Sequence, residues 1–550
     1  MLVKKDYRKK LLLIFLGFLS FYLVVIFRLF LMQVHQSKFF KLLATQQYVT
    51  EIKTMPPRAE IYDRNGETLA FNIEKFSAFI LPKKFNEPER FKEFLMKNYS
   101  SVYERILKES HRSFMWLERH LSKDRFEELK NMDFLDIHFL AEPKRYYPFE
   151  SLAHVIGFTD VDNVGIAGIE LQFNERIGGV PSIFVLEKDA RSGCFYFKRD
   201  IKEEGLEGEP VKLTIDKNIQ FLAYEELEKT VQEHGASSGA VLIIDPDEGD
   251  VLAMANYPSF DVNNKIENFD ITKNIVATEC FEIGSIMKVF TALAVLEEEV
   301  VDIDEEIDCE GKLTYIDGFK VENWKSLGEG KHPFWEIVAR SNNVGMAKVA
   351  KRLGSKLYYH FLRLGFGAKT GVRFPGERSG FVNPPHNWSR SSIIVMSFGY
   401  ESMVTLLHLG KAFSIIANDG KNMQPFLIKR PRRKASIAGE QQLYREEIVE
   451  KLKEILELKD HMKRMYGIEG YKIYGKTGTA RQVKDGKYSL QNYVCTYGGV
   501  IEKGDYKRVI ITFVKDPKDE KVWASQITLP LFHRIAEKLV VYDLTQGSSK

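Results

Sequence analysis

Residues Leu11 to Phe27 form an unbroken apolar run without a charged side chain, and Leu29 to Met32 extend it beyond Arg28. A helix needs about 20 such residues to cross the hydrocarbon core of a bilayer, and in lipid only a helix or a closed barrel satisfies its backbone. Arg28, near the far end, can snorkel to the interface. The run is longer than the apolar core of a signal peptide, and no small-residue cleavage site follows it. Lys4, Lys5, Arg8, Lys9 and Lys10 stand against Asp6 in the first ten residues, a basic flank that predicts a cytoplasmic N-terminus. Because no second run follows, about 515 of the 550 residues are expected outside the cytoplasm.

The same basic tail disposes of a nucleic-acid partner. The formal net charge is +3, and the tail alone supplies five positive charges against one negative, which leaves the remainder close to neutral. Nucleic-acid binding needs a basic face on the folded part. With 44% hydrophobic and 28% charged residues, the rest is globular, and its length predicts two to four domains. Cys194, Cys280, Cys309 and Cys495 form no CxxC pair, and no His/Cys cluster suggests a metal, so no cofactor is expected. Disulfides and free buried thiols both remain open.

After the anchor, Pro56-Pro57 hold the chain extended, and Asn65-Gly66 marks a hairpin turn within Arg58 to Ala70. Residues 85 to 135 read as short amphipathic helices, with Trp116 to Met132 the clearest. Pro143 to Pro148 breaks that pattern, and His154 to Gly157 and Gly165 to Glu170 read as glycine-rich irregular chain. Glu203 to Pro210 looks like a boundary. Asp216 is placed to cap a helix ending near His234. Gly239 to Asp245 and Gly249 to Ala255 then form a β-hairpin. A mostly helical middle spans Ser285 to about Asp419, and strands return at Lys472–Gln482, Val494–Ile501 and Arg508–Val514 before a last helix near Leu529 to Val541. Strands at both ends of a helical middle predict an α+β domain in which they meet in one antiparallel sheet.

Three short patterns carry the chemistry. Ser285 and Lys288 share a helix face, at the head of a run (Ile286 to Leu296) apolar all round and so buried. Serine needs a neighbouring base to become a nucleophile, and lysine is a base only where burial or a nearby positive charge keeps it neutral. Ser341-Asn342-Asn343 offers a second hydroxyl and an amide for a substrate carbonyl; by itself it reads better as a helix-capping turn. Lys476-Thr477-Gly478-Thr479 sits on a strand whose glycine suggests close approach by a ligand. A peptide could add to this strand, while Lys476 could hold a carboxylate and help to keep Lys288 uncharged. Two decoys fail on context. Lys369-Thr370-Gly371 leads into a loop, and Gly235 to Gly239 fits GxSxG but follows a helix instead of a strand.

SxxK, SxN and KTG in this order, 56 and 135 residues apart, resemble the signature set of serine β-lactamases and penicillin-binding proteins. The chain is similar throughout to the class B penicillin-binding proteins, monofunctional peptidoglycan transpeptidases. Arg58…Asp63-Arg64-Asn65-Gly66, Arg145 to Pro148 with Ala153-His154…Gly157, and Gly168-Ile169-Glu170 resemble that family's landmarks. The resemblance implies a cytoplasmic tail (1–10), a transmembrane anchor (11–34), an elongated pedestal of the dimerisation type (35–212) and a transpeptidase domain (213–550). It implies a single-pass protein of the bacterial inner membrane with its catalytic domain outside the cytoplasm. Gly157 to Asp160, and Ser397 to Tyr400 with Val404-Thr405, look most like the cell-division, FtsI-like branch; the elongation branch is the alternative. Ile283 in place of proline, Gly498-Gly499-Val500-Ile501 after KTG, and Trp523-Ala524-Ser525 depart from the family pattern.

By that resemblance, Ser285 attacks the penultimate D-Ala carbonyl of a stem peptide, Lys288 takes the proton and Ser341 relays one to the leaving D-Ala. Asn343 positions the peptide, Lys476, Thr477 and Thr479 hold its carboxylate on a strand opened by Gly478, and the Ser285 and Thr479 N–H groups form the oxyanion hole. Implied partners are lipid-linked nascent glycan, β-lactam antibiotics, a SEDS-type glycosyltransferase and other division proteins. A β-lactamase would need a carboxylate for deacylation, and no ExxLN-like stretch follows Asn343. A β-lactam sensor or an idle scaffold of the division machinery are the non-enzyme alternatives.

Overall fold

The computed structural model describes residues 7–547, apart from 42–48, 55, 83–87, 110–111, 113, 189–194, 324–329, 431–440, 485–486 and 520. Cys194 and most of the basic tail lie outside the described residues. The apolar run forms one helix, Arg8–Phe30, with no buried residue. It continues into a helical turn to His35 and is the one described helix long and apolar enough to cross a membrane.

Two compact units interleave along the chain. One comprises Met1–Pro57, Glu74–Pro143 and Gly179–Glu207. Its core is built by Phe91 and Leu95 of the helix Pro88–Asn98, Val102 and Ile106 of Ser100–Lys108, and Leu129 of Lys123–Asn131. The single helix expected over Trp116 to Met132 is corrected here. Met115–Glu118 is a strand with alternating burial, pairing with Ala78 to Ile80, and the helix begins only after Ser122, whose hydroxyl accepts from Arg125 N–H. Two sheet positions followed by a capped helix share enough apolar spacing to imitate one longer helix. Pro143 to Tyr146 closes the strand His138–Tyr146, so the helical pattern does end before these residues.

The second unit comprises Arg58–Ile73, Lys144–Gly178 and Gly208–Lys550. Ile61–Tyr62 and Thr68 onward pair across the Asn65-Gly66 turn, as the sequence predicts. Asp216 caps α1 (Lys217–Glu233), accepting from the N–H groups of Asn218 and Ile219. Next come β1 (Ser238–Asp245) and β2 (Asp250–Tyr257), then α2 (Met287–Glu297), α3 (Asn343–Leu353) and α4 (Leu406–Ala417). The chain ends with β3 (Lys472–Lys484), β4 (Lys487–Lys503), β5 (Tyr506–Lys515) and α5 (Ala524–Gly547). The strands form one antiparallel sheet in the order β2-β1-β5-β4-β3. The strands from the two ends of the domain thus meet at β1 and β5.

Both faces of this sheet are covered, which is why its middle strands are nearly continuous apolar runs. Along β5, Val509, Ile511 and Phe513 join the core containing Phe290 of α2 and Phe413 of α4, while Ile510 and Val514 pack with Leu227 of α1 and Phe532 of α5. β3 stands at the sheet's edge, beside the head of α2.

Candidate active site

The head of α2 is a tight packing problem solved by three glycines. Ser285 occupies a 3-10 turn, Gly284–Ile286, that leads into the helix. Gly284 has φ +53°, a conformation open to glycine at little cost, and a β-carbon there would lie 3.0 Å from the Thr479 carbonyl oxygen. A β-carbon on Gly478 of β3 would fall 2.3 Å from the Ile283 carbonyl oxygen, and one on Gly399 would fall 2.1 Å from that of Gly284. The strand glycine of KTG therefore admits the protein's own serine turn, where the sequence suggested a ligand. Ile283 is only 1% exposed, its side chain lying in the main core.

Every residue of α2 from Met287 to Leu296 is buried, Lys288 included at 0% exposure. Its Nζ lies 3.2 Å from Ser285 Oγ and 3.0 Å from Ser341 Oγ, and donates to the Ser341 carbonyl at 2.7 Å. Burial is the main force lowering the Lys288 pKa well below its usual 10.5, and the positive charge of Lys476 adds to it. The sequence allows burial or a nearby positive charge as the cause, with Lys476 helping; burial is the larger of the two. The reason is desolvation, which penalises the charged form of an amine with no carboxylate partner.

Ser341 reaches Lys288 because its backbone is left-handed, with φ +65°. A non-glycine residue pays for that conformation, and such residues concentrate at functional sites. The turn runs from the helix Phe334–Ala339 into α3, so that Ser341 presents both its hydroxyl and its carbonyl to one amine. The capping alternative also holds, for the neighbouring residue: Asn342 Oδ1 accepts from Gly345 N–H at 2.8 Å. Asn343 donates its side-chain N–H to the Glu322 carbonyl at 2.7 Å, and its backbone N–H to Asn323 Oδ1 at 2.8 Å. It is thereby tied to the hairpin Leu313–Ile316/Phe319–Glu322.

On β3, Lys476 pairs in register with Gly498, Thr477 with Tyr497, Gly478 with Thr496 and Thr479 with Cys495. Lys476, Gly478 and Ala480 are buried, and Thr477 and Thr479 are half-buried. The Thr479 hydroxyl accepts from the Ala524 N–H at the start of α5, 3.1 Å away. Gly498 and Gly499 make room for aromatic rings: β-carbons there would meet Phe413 at 2.3 Å and Tyr497 at 2.5 Å.

The structure thus gathers Ser285, Lys288 and Ser341 by direct contact, with Lys476 near enough to act on Lys288 through space. Asn323, which supports this group, carries no sequence signal beyond being an ordinary Asn, and Gly399 stands out only as part of the Ser397 to Tyr400 segment, with nothing to mark its contact with the serine turn. Both decoys stay apart: Thr370 is locked by its N–H and hydroxyl onto Glu377, and Gly235–Gly239 joins α1 to β1. Cys280, Cys309 and Cys495 are free thiols, and among the described residues no group of three or more His, Cys, Asp and Glu could hold a metal.

A family model described as penicillin binding protein transpeptidase domain matches residues 239–537, and one for the penicillin-binding protein dimerisation domain matches 53–213. The chain is 30% identical over 525 residues to a Pseudomonas aeruginosa protein named probable peptidoglycan D,D-transpeptidase PbpC, covering 92% of this chain and 90% of that one. It is 29% identical over 496 residues to the Escherichia coli peptidoglycan D,D-transpeptidase FtsI, covering 87% and 82%. The crystal structure of penicillin binding protein 3 from Mycobacterium tuberculosis shares the fold, with a TM-score of 0.68 at 24% identity over 90% of this chain and 97% of that one.

Proposed function

This chain belongs to the penicillin-binding protein transpeptidase family, and from that premise we propose how its own residues carry out the reaction. It is a serine-type peptidoglycan D,D-transpeptidase with the dimerisation and transpeptidase domains of the class B proteins. The observation that carries the mechanism is the buried Lys288 amine, placed between the hydroxyls of Ser285 and Ser341.

Ser285 Oγ attacks the penultimate D-Ala carbonyl of the donor stem while neutral Lys288 accepts its proton. The tetrahedral oxyanion is met by the backbone N–H groups of Ser285 and Thr479, an interaction worth about 3 kcal/mol per donor in such sites. Collapse breaks the D-Ala–D-Ala amide bond; the proton passes from Lys288 through Ser341 to the departing nitrogen, leaving Ser285 acylated. An amine of a neighbouring stem then attacks this ester, losing a proton back through Lys288, and the cross-link forms as Ser285 is regenerated. Lys476 and Thr477 hold the donor carboxylate, Asn343 orients its peptide, and the strand Lys476–Thr479 lies alongside it. A β-lactam enters as a donor mimic and remains on Ser285 when its ring opens.

The anchor helix and basic flank support a single pass with the N-terminus in the cytoplasm and the catalytic unit on the outer face of the inner membrane. The likeness to FtsI supports a septal role, with a SEDS-type polymerase and division proteins as partners in the membrane. Depletion of the protein should give filaments lacking septa; widened or round cells would instead place it in the elongation branch.

Labelling with a fluorescent penicillin tests the chemistry. Wild type should give a stable adduct and Ser285→Ala none. An unlabelled wild type would sink the mechanism, and rapid loss of the label would make the protein a β-lactamase.

A further inference from the structure

Glu282 lies three residues before Ser285 and takes no part in the steps above. Its carboxyl nevertheless joins three pieces of chain around the nucleophile. Phe281, its neighbour, pairs with Val404 through two backbone hydrogen bonds of 3.1 Å. Glu282 Oε1 accepts from the Glu401 backbone N–H at 3.0 Å and from the Tyr488 hydroxyl at 3.3 Å. Tyr488 stands on β4 opposite Val483 of β3, so the second bond reaches the hairpin that carries Lys476 to Thr479. The Tyr400 ring meets Tyr488 edge-on, 5.4 Å away at 86°.

The arrangement is costly in ways a purely structural tie would avoid. Glu282 Oε2 is buried without a hydrogen-bond partner, and a buried unsatisfied acceptor subtracts from stability. Burial also pushes the Glu282 pKa up. Glu401 has a left-handed backbone conformation, φ +54°, and its carboxylate accepts from Asn383 Nδ2 at 2.6 Å. Rules of local consistency are broken at functional sites, where geometry matters more than stability. The segment so fixed includes Gly399, which is packed against the Gly284 carbonyl.

Resting on the transpeptidase reading, we propose that Glu282 is a positioning residue for acylation: its carboxyl fixes the Ser285 turn against the 397–404 loop and the β3–β4 hairpin, holding the nucleophile and the donor-binding strand at one spacing. Glu282 does not touch the reacting atoms. Its loss therefore slows bond formation without weakening capture of the donor, which rests on β3 and its lysine.

The test is stopped-flow acylation of the detergent-solubilised full chain by a fluorescent penicillin, resolving the acylation rate constant from the dissociation constant of the preceding complex. Glu282→Ala should lower the rate constant about 10- to 100-fold, the range expected for a misplaced nucleophile, with the dissociation constant nearly unchanged. Glu282→Gln, whose amide oxygen still accepts both bonds, should recover most of the rate. Tyr488→Phe should fall between and add nothing to Glu282→Ala, because the two remove one shared bond. Wild type that is not acylated at all defeats the transpeptidase reading itself. Normal wild-type acylation with an equal rate constant in Glu282→Ala defeats the positioning role alone, as does a loss appearing only in the dissociation constant. Should Glu282→Ala fail to fold, the surface variant Tyr488→Phe decides: an unchanged rate constant overturns the proposal.

Discussion

The catalytic unit buries two groups of cations and treats them in opposite ways. Arg58 and Arg145 flank Glu170, with side chains 1%, 1% and 0% exposed. Glu170 takes Arg58 on one oxygen at 2.7 Å and Arg145 on the other at 2.7 Å. Further guanidinium N–H groups donate to the Asn163, Glu170, Arg58 and Ala59 carbonyls and to Asn174 Oδ1. Lys288, equally buried, has two hydroxyls and a carbonyl around it, and the neighbouring charge acting on it is that of Lys476. One cluster pairs its cations with a carboxylate; the other holds an amine whose charged form burial disfavours. The residue types follow from this. Guanidinium forks two bonds at once and never deprotonates, whereas an amine left without a counter-ion becomes a base. Both clusters are buried, so burial alone does not distinguish the proposed base; the missing carboxylate does.

The sharpest way to break this contrast is to give the catalytic position the other cluster's chemistry. Lys288→Arg preserves a cation and removes the base, and should lower acylation by about 10³-fold or more, near the upper range for general-base loss. Acylation by fluorescent penicillin within tenfold of wild type would mean that a neutral amine is not required. In the paired cluster, Glu170→Ala strands two guanidinium groups and should cost about 3–5 kcal/mol of stability, read from denaturant melts of the solubilised chain. The folded fraction should still acylate at the wild-type rate. A loss below 1 kcal/mol would show that the arginines find other compensation. Next in size is Gly478→Ala, whose β-carbon would collide with the Ile283 carbonyl and drive β3 from the serine turn. A displacement of about 1 Å there should cost about 100-fold in acylation, and an unchanged rate would make the glycine a matter of packing alone.

How much of this contrast could be read from the sequence depends on the range of the interactions. Ser285 and Lys288 are three residues apart and were legible as a pair, and the apolar run after them announced the burial of Lys288. SxN and KTG were legible because their order and the elements that carry them are sequence properties, as was the meeting of the terminal strands in one sheet. The left-handed turn at Ser341 was not: serine gives no sign of φ, and tertiary contacts impose it. Gly478 suggests an opening for a ligand from the sequence, because the approach of Ile283, 195 residues earlier, is invisible in the local pattern. Glu282 looked like any glutamate before a motif, since both its partners are more than a hundred residues away. Arg58, Arg145 and Glu170 stand out in the sequence only by resemblance to the family's landmarks; their mutual pairing, across 112 and 25 residues, supplies the physical reason.

The smallest effect separates the two clusters by pH. The folded pKa of Lys288 lies below its ordinary value of 10.5, so between the two the unfolded chain binds a proton that the folded chain does not. Stability must then rise with pH across that window, by up to about 1.4 kcal/mol per pH unit, and level off above it. Below the lowered value both states are protonated and the slope vanishes. Lys288→Met should abolish this component, so the difference in stability between wild type and variant, measured at several pH values on the alkaline side of neutrality, should grow in favour of wild type as pH rises. The acylation rate depends on the same proton in the same direction, increasing as folded Lys288 becomes neutral. The pH at which acylation reaches half its maximum should therefore match the pH at which the stability difference begins to climb. Lys476→Met should move both to higher pH, while burial, the larger cause, keeps them below the ordinary lysine range. A stability difference flat in pH would mean that Lys288 keeps its charge in the folded protein, and the distinction between the two clusters would fall.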